Sequence, residues 1–436
     1  MKVTVIGAGL AGVEAAWALA QRGAQVDLYE MKPVQYSPAH KYTGYAELIC
    51  SNSLKAKRVG SAAGLMKEEM RRLGSLCMEA ALETEVSAGG ALAVDREKFS
   101  DYITEKIENH PNITVIHERV DKIPEEGYVI IASGPLTEEH LAAEIGKLGG
   151  EKYLSFFDAA APIVTFDSID KEKVFFAARY GRGDDDYINC PMNKEEYEAF
   201  HEALVNAEAV ELHTFEKQEF KVYEGCMPVE VMAKRGADTL RFGPLKPVGL
   251  TDPRTGHRPW AVVQLRSENN QGTLYNLVGF QTNLKFPEQK RVFGMIPGLA
   301  NAEFIRYGVM HRNTFLNSPK LLDNTFCLKQ DRRIYFAGQM TGVEGYMESA
   351  ASGILAAQNL WLAAKGEEPL VLPADTMLGA LARYISDESI SDFQPMGANM
   401  GILPPLDTRI RDKAQRYELI ANRALESLQA YLDSRK

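Results

Sequence analysis

Two thiols and one glycine loop are the places where this chain could do chemistry. Cys226 stands in "YEGCMPVEV", between a flexible glycine and a turn-forming proline, a setting that exposes a side chain more readily than it packs one. Cys50 stands in "YAELICSNSLKAKR", where Ser51, Asn52 and Ser53 offer capping groups and Lys55, Lys57 and Arg58 supply positive charge that would lower a thiol pKa. A thiolate at either place could add to an electron-poor carbon. The plainer readings are a small turn filler at Cys226 and a buried strand-end residue beside a solvated basic face at Cys50. Cys77 falls on a helical apolar spacing, and packing also explains Cys190 and Cys327. No CxxC pair and no zinc-type Cys/His spacing occurs, so reduced thiols are expected and no metal site.

The glycine loop lies at the other chemical centre. "VTVIGAGLAGVEAAWALAQRGAQVDLYE" reads as strand, tight turn, helix, strand. Gly7 permits the turn, Gly9 lets a phosphate approach the backbone and Gly12 lets the helix pack closely on the sheet. Amides at that helix N-terminus face a pyrophosphate, so Ala8, Leu10 and Ala11 join the three glycines as candidate cofactor-binding residues. Glu30, 18 residues after Gly12, is placed to accept hydrogen bonds from an adenosine ribose. Asp27 is read as strand surface. Near the other end, "RIYFAGQMTGVEGYMESAASGILAAQNL", residues 333–360, offers a buried strand, a turn at Gly338 and a helix of small residues. Such a helix can bring its N-terminus to a flavin ring, which makes Gly338, Gly342, Glu344 and Gly345 candidates as well. A second crossover without a ligand is the bland alternative. "YVIIASGP", residues 128–135, suits an intermediate strand and glycine turn near the cofactor. Two glycine-rich elements far apart in sequence favour FAD over NAD as the tightly held dinucleotide.

These residues need a frame. At 436 residues the chain exceeds the roughly 250–300 at which one core stops growing, so two domains or a large insertion are expected. The expected fold class is α/β: a FAD-binding Rossmann-like domain of glutathione-reductase type, discontinuous in sequence, with an inserted α+β domain. Its first part covers 1–154, the inserted substrate domain 155–325, and the completion with C-terminal helices 326–436. The spacing predicts a helix over 65–84, a second from an Asp95 cap, a third near 194–208, and a last helix with Tyr417, Ala421, Ala424, Leu428 and Tyr431 on one docking face. The acidic "GRGDDDY" reads as a solvated loop. No apolar run approaches bilayer length, and the first strand begins at Lys2, which points to the cytoplasm and no membrane. A net charge of −10 argues against charge-driven nucleic-acid binding in general while leaving room for a local basic surface.

"GAGLAG", "YAELICSNSLK", "YEGCMPVEVMAKRGADTLRFGPLKPVGL", "YGVMHRNTFLNSP" and "YFAGQMTGVEGYMESAASG" together make the whole chain resemble the folate- and FAD-dependent tRNA uracil-5-methyltransferase family (TrmFO). The cysteine segments separate it from the related GidA-type flavoproteins. The resemblance implies methylation of carbon 5 of the T-loop uridine, with tRNA held by its T-arm, 5,10-methylenetetrahydrofolate as carbon donor, and FAD reduced by NADH or NADPH. It implies Cys226 as the nucleophile toward uracil and Cys50 as a second functional thiol near the flavin, protecting the flavin-bound intermediate or sharing the nucleophilic work. Lys285, Lys290, Arg291, Arg254 and Arg258 are candidates for phosphate contacts. Tyr346 is placed to stack on a ring or to fill the core. Another FAD oxidoreductase, a GidA-like tRNA-modifying enzyme and an RNA-binding factor stabilised by FAD are the rival readings.

Overall fold

The computed structural model describes residues 1–37, 39–149, 154–159, 161–181, 186–210, 227–269, 271–308, 310–390 and 393–435, with backbone alone for 149, 154–159 and 310–314. Cys226 and most of the acidic run, residues 182–185, lie outside the described residues.

The apolar runs "KVTVI", "YVII" and "IYF" form neighbouring strands of a five-stranded parallel sheet, in the order Ile334–Phe336, Tyr128–Ile131, Lys2–Ile6, Gln25–Tyr29, Ile113–Ile116. Near-continuous hydrophobicity in these runs matches a sheet buried on both faces. Helix Leu10–Gln21 and the small-residue helix Tyr346–Lys365 cross each other closely, because Gly353 brings the second helix onto the Ala11 backbone; a Cβ at Gly353 would lie 2.1 Å from the Ala11 oxygen. A second sheet is antiparallel and six-stranded: Phe175–Phe176, Tyr187–Met192, Ala261–Ser267, Leu274–Leu277, Ile163–Thr165, Phe304–Arg306. Helix Lys194–Val205 packs with it.

Each sheet has its own core. One gathers Val5, Leu28, Ile130, Phe336, Ile354 and Leu428, drawn from both ends of the chain; the other gathers Ile188, Phe200, Val263, Leu265, Phe280 and Phe293 from its middle. The chain leaves the first core and returns to it along one antiparallel ribbon, Leu154–Ala159 against Met310–Phe315. Helix Lys413–Asp433 docks on the first core through Ala421, Ala424 and Leu428, and the Leu425 carbonyl accepts from Arg72.

The helix expected over 65–84 is two helices, Ala62–Arg72 and Leu76–Glu83. Gly74, at φ +80, ends the first, and the Ser75 hydroxyl accepts from the Met78 amide to start the second. The expected Asp95 cap is present and accepts from the Lys98 amide. Two buried carboxylates add caps of a longer reach. Glu14 accepts from the Leu76 and Cys77 amides at 3.1 and 2.9 Å, and Glu69 accepts from those of Met377 and Leu378 at 2.8 and 2.9 Å.

Burial pushes the Glu14 carboxyl up to about 7 and Glu69 to about 8, against an ordinary value of 4.5. The folded chain therefore holds protons that the unfolded chain has released. The stability linked to them is complete below the unfolded value and is lost as pH rises through 7 and 8. The expected result is a denaturation midpoint that falls between about pH 5 and about pH 8.5, with a shallower fall in Glu69→Gln protein. An equal fall of the urea midpoint with pH in the two proteins would contradict it.

Candidate cofactor cleft and thiol loop

The carboxyl ends of the parallel strands open onto a cleft of about 1220 Å³, mouth included. Its floor is the turn after Lys2–Ile6. Gly7 has φ +99, and a Cβ there would lie 2.7 Å from the Ala132 oxygen; at Gly12 it would lie 1.7 Å from the Gly7 oxygen. Packing of helix against turn thus demands both. Gly9 is different, since a Cβ there would meet no atom within 4 Å. It caps helix Leu10–Gln21 without a side-chain partner, so the first-turn amides and the positive end of the helix dipole open onto the cleft. Glu30 is buried just past the second strand, where Oε2 accepts from the Ala8 amide at 2.8 Å and Oε1 from the Lys32 amide at 3.0 Å. An uncapped helix start, open space over Gly9 and a fixed carboxylate together suit a dinucleotide's pyrophosphate and ribose. Asp27, by contrast, pairs with Lys2 at the strand surface.

The opposite wall comes from "YVIIASGP" and from the late segment. Gly338, at φ +88, donates its amide to Ser352 Oγ at 2.7 Å. Of the candidates, Gly7, Ala8, Gly9, Leu10, Ala11, Glu30 and Gly338 line the cleft. Gly12, Gly342, Glu344 and Gly345 are not among its described lining residues. Gly342, at φ +87, lies against the Phe393 ring, Glu344 accepts from Gln339 Nε2 at 2.7 Å, and Gly345, at φ +129, begins helix Tyr346–Lys365.

Tyr346 lines the cleft and does something else besides. Its hydroxyl accepts from the Cys50 amide at 2.6 Å and the Ser51 amide at 3.1 Å. Burial, with the neighbouring Cys50 thiol, pushes the phenol well above its ordinary range. The half-buried Cys50 sits on a loop tied down at almost every residue. Arg96 donates to the Leu48 carbonyl and, at 3.5 Å, to that of Cys50, while Arg306 donates to the Ile49 carbonyl. Arg266 reaches Ser51 Oγ at 2.7 Å and Asn52 Oδ1 at 3.0 Å; buried Asn52 donates in turn to the Val94 and Ser267 carbonyls. Arg96 also pairs with buried Glu268. The loop is therefore held from both sides, by Arg96 and Tyr346 of the first unit and by Arg266, Ser267 and Arg306 of the second.

The charges around Cys50 are not the ones its local sequence suggests. Lys55 is paired with Glu348 at 2.7 Å and Lys57 with Glu85, whereas the guanidinium groups on the loop come from Arg96 and Arg306. Cys77, Cys190 and Cys327 are buried as their spacing implies, and burial pushes all three thiols up, Cys327 to about 11. Three cations considered for phosphate contact are occupied: Arg254 by Asp252 at 2.7 Å and the Glu172 carbonyl at 2.8 Å, Lys285 by Glu208 at 2.7 Å, and Arg291 by Glu288 at 2.6 Å. Lys290 and Arg258 are exposed.

Arg96→Ala would leave the Glu268 carboxylate buried without its cation, a loss of about 3–5 kcal/mol. The expected result is a large drop in thermal midpoint; a midpoint equal to that of the parent protein would show that the pair carries no such role.

Parallel sheet, glycine turn, end-of-strand carboxylate and returning strand and helix define a two-segment Rossmann-type site, that of the FAD-binding flavoproteins. The fold is shared with Aquifex aeolicus GidA, with a TM-score of 0.72 over 99% of this chain and 73% of that one, at 18% identity. The family model for glucose inhibited division protein A matches residues 2–368. The methylenetetrahydrofolate–tRNA-(uracil-5-)-methyltransferase TrmFO of Acetivibrio thermocellus is 60% identical over 430 residues, 99% of this chain and 98% of its own. The proteins of that name from Desulforamulus reducens and Enterococcus faecalis are each 59% identical, over 100% and 98% of this chain and 98% and 97% of theirs. The chain belongs to the TrmFO family, within the wider glucose inhibited division protein A group.

Proposed function

We propose that this protein methylates carbon 5 of a uridine in tRNA, the T-loop uridine, taking the carbon from 5,10-methylenetetrahydrofolate with FAD in the cleft and NADH or NADPH as reductant. The observation that carries the reading is 60% identity along 99% of the chain to a protein named for that activity. No helix among the described residues is long and apolar enough to cross a membrane, and a tRNA substrate places the reaction in the cytoplasm. We keep a division at 1–154, 155–325 and 326–436; two cores and the ribbon between them support an inserted unit, whose end lies nearer Phe315, since Phe315, Leu316 and Leu322 pack in the first core.

FAD, when bound, supplies the reducing equivalents that turn a methylene into a methyl group. The chain's own residues hold and aim the reactants. First-turn amides over Gly9 would hold the pyrophosphate, and Glu30 would accept from the ribose. Uracil carbon 5 is a poor nucleophile until a thiolate adds to carbon 6, and we assign that attack to Cys226, between Gly225 and Pro228. Such a segment suits a base taken out of its stack. We assign Cys50 to the cleft side of the reaction, where Tyr346 ties its backbone to the wall.

The test is to incubate yellow protein with unmodified tRNA, methylenetetrahydrofolate labelled in its one-carbon unit, and NADPH. Label in the 5-methyl group of uracil supports the proposal. Label in a wobble-position group, or in no RNA at all, sinks it in favour of a GidA-like enzyme or an RNA-binding flavoprotein.

A further inference from the structure

The second unit presents a face that the site above does not use. Between Lys234 and Trp260 six cations, Lys234, Arg235, Arg241, Lys246, Arg254 and Arg258, stand against Asp238 and Asp252, a net +4 in a chain of net −10. Asp252 is buried and already neutralised by Arg254. Lys234, Lys246 and Arg258 are exposed and have no carboxylate within 4 Å among the described residues. Two large rings share this stretch. Phe242 is 83% exposed although Leu240 and Leu245 beside it are wholly buried, so the helix Thr239–Phe242 is anchored from below and its ring stands in water. Trp260 is 36% exposed, with the Arg241 guanidinium 3.6 Å from its ring centroid and donating to its carbonyl at 3.0 Å. Asp238, at 2.6 Å, holds the far end of that guanidinium. A lone exposed ring is ordinary. Two exposed rings in one stretch with exposed lysines that have no carboxylate within 4 Å among the described residues, one ring already stacked under an arginine, are a different case.

We infer that this face seats the substrate RNA: Phe242 and Trp260 offer stacking surfaces to unstacked bases, and Lys234, Lys246 and Arg258 meet the phosphates. The inference rests on the reading that tRNA is the substrate and adds where it is gripped. Cations alone would hold any polyanion, and rings alone would suit a protein partner or a second copy. Interleaved, they match single-stranded RNA loops, whose splayed bases stack on aromatic or guanidinium planes. An acidic chain also needs a local basic field to draw RNA in. Lys234 follows Cys226, the proposed nucleophile, by eight residues in sequence.

The test uses the flavin-loaded full chain, an unmodified tRNA transcript, and two variants, Phe242→Ala and the double change Lys234→Ala with Lys246→Ala. Phe242→Ala is expected to bind the transcript roughly fivefold to hundredfold more weakly. The lysine pair is expected to flatten the plot of log Kd against log salt by about 0.7 per lost contact. Flavin absorbance, its bleaching by NADPH and the melting temperature stay at parent values in both. Parent affinity and salt slope in both variants, with a parent protein that does bind tRNA, overturn the inference alone. So does a parent dimer that Phe242→Ala converts to monomer in sedimentation, which makes the face a contact between copies. A parent protein that does not bind tRNA overturns the functional reading and this inference with it.

Discussion

Gly9→Val is expected to give a folded, colourless protein. The valine side chain has somewhere to go, since no protein atom lies within 4 Å of a Cβ at this position, and the backbone at φ −73, ψ −176 is extended and open to any residue. Valine at a helix N-cap costs about 1 kcal/mol, too little to unfold cores of this size. What it fills is the open space above the first-turn amides, where a pyrophosphate would lie. Flavin content is therefore expected to fall to near zero while the unfolding midpoint barely moves. Gly12→Ala makes the contrast: its Cβ would overlap the Gly7 oxygen, so colour and fold are expected to be lost together. Absorbance of the purified proteins and a thermal melt decide both cases, and a yellow Gly9→Val protein would move the pyrophosphate elsewhere.

Cys226→Ala is expected to abolish methyl transfer, by on the order of 10⁴-fold or more, with flavin absorbance unchanged. Without a thiolate at carbon 6 the uracil ring has no enolate. Normal methylation by this variant would remove Cys226 from the assignment. Cys50→Ala makes a clean companion, because the described bonds that shape its loop run through its main chain, from the amide to Tyr346 and from Arg96 to the carbonyl. The described main-chain ties of the loop remain when the thiol is removed. Transfer is expected to fall with flavin retained, and single-turnover assays with each variant show which thiol the covalent RNA adduct needs.

The parts of this molecule written in short-range patterns are legible in the order of its residues. The strand, turn and helix at Gly7, Gly9 and Gly12 form as their spacing implies, with Glu30 after the second strand, because each signal lies within a few residues of the next. Burial of Cys77 follows from helical spacing even though Gly74 splits the helix, since both pieces bury their apolar positions in the first core. The ties on the Cys50 loop are not legible in this way. Lys55 and Lys57 are its neighbours in sequence, but in the fold they pair with Glu348 and Glu85. Arg96, Arg266 and Arg306 stand far along the chain, and no local pattern marks a guanidinium that will meet a distant carbonyl. Arg254 shows the converse: a cation read as a surface contact is locked to the carboxylate two residues before it, a pairing that proximity in sequence could have suggested.

The loop that carries Cys50 borrows its shape from residues at 96, 266, 306 and 346, so it belongs to no single segment of the growing polypeptide. Contacts of such long separation close late and open early. The thiol thus acquires these ties only after Tyr346 has been made and both bodies have met. A chain ending before Tyr346 would lack the hydroxyl that holds the Cys50 and Ser51 amides, and its sulfur would have no fixed place beside the cleft.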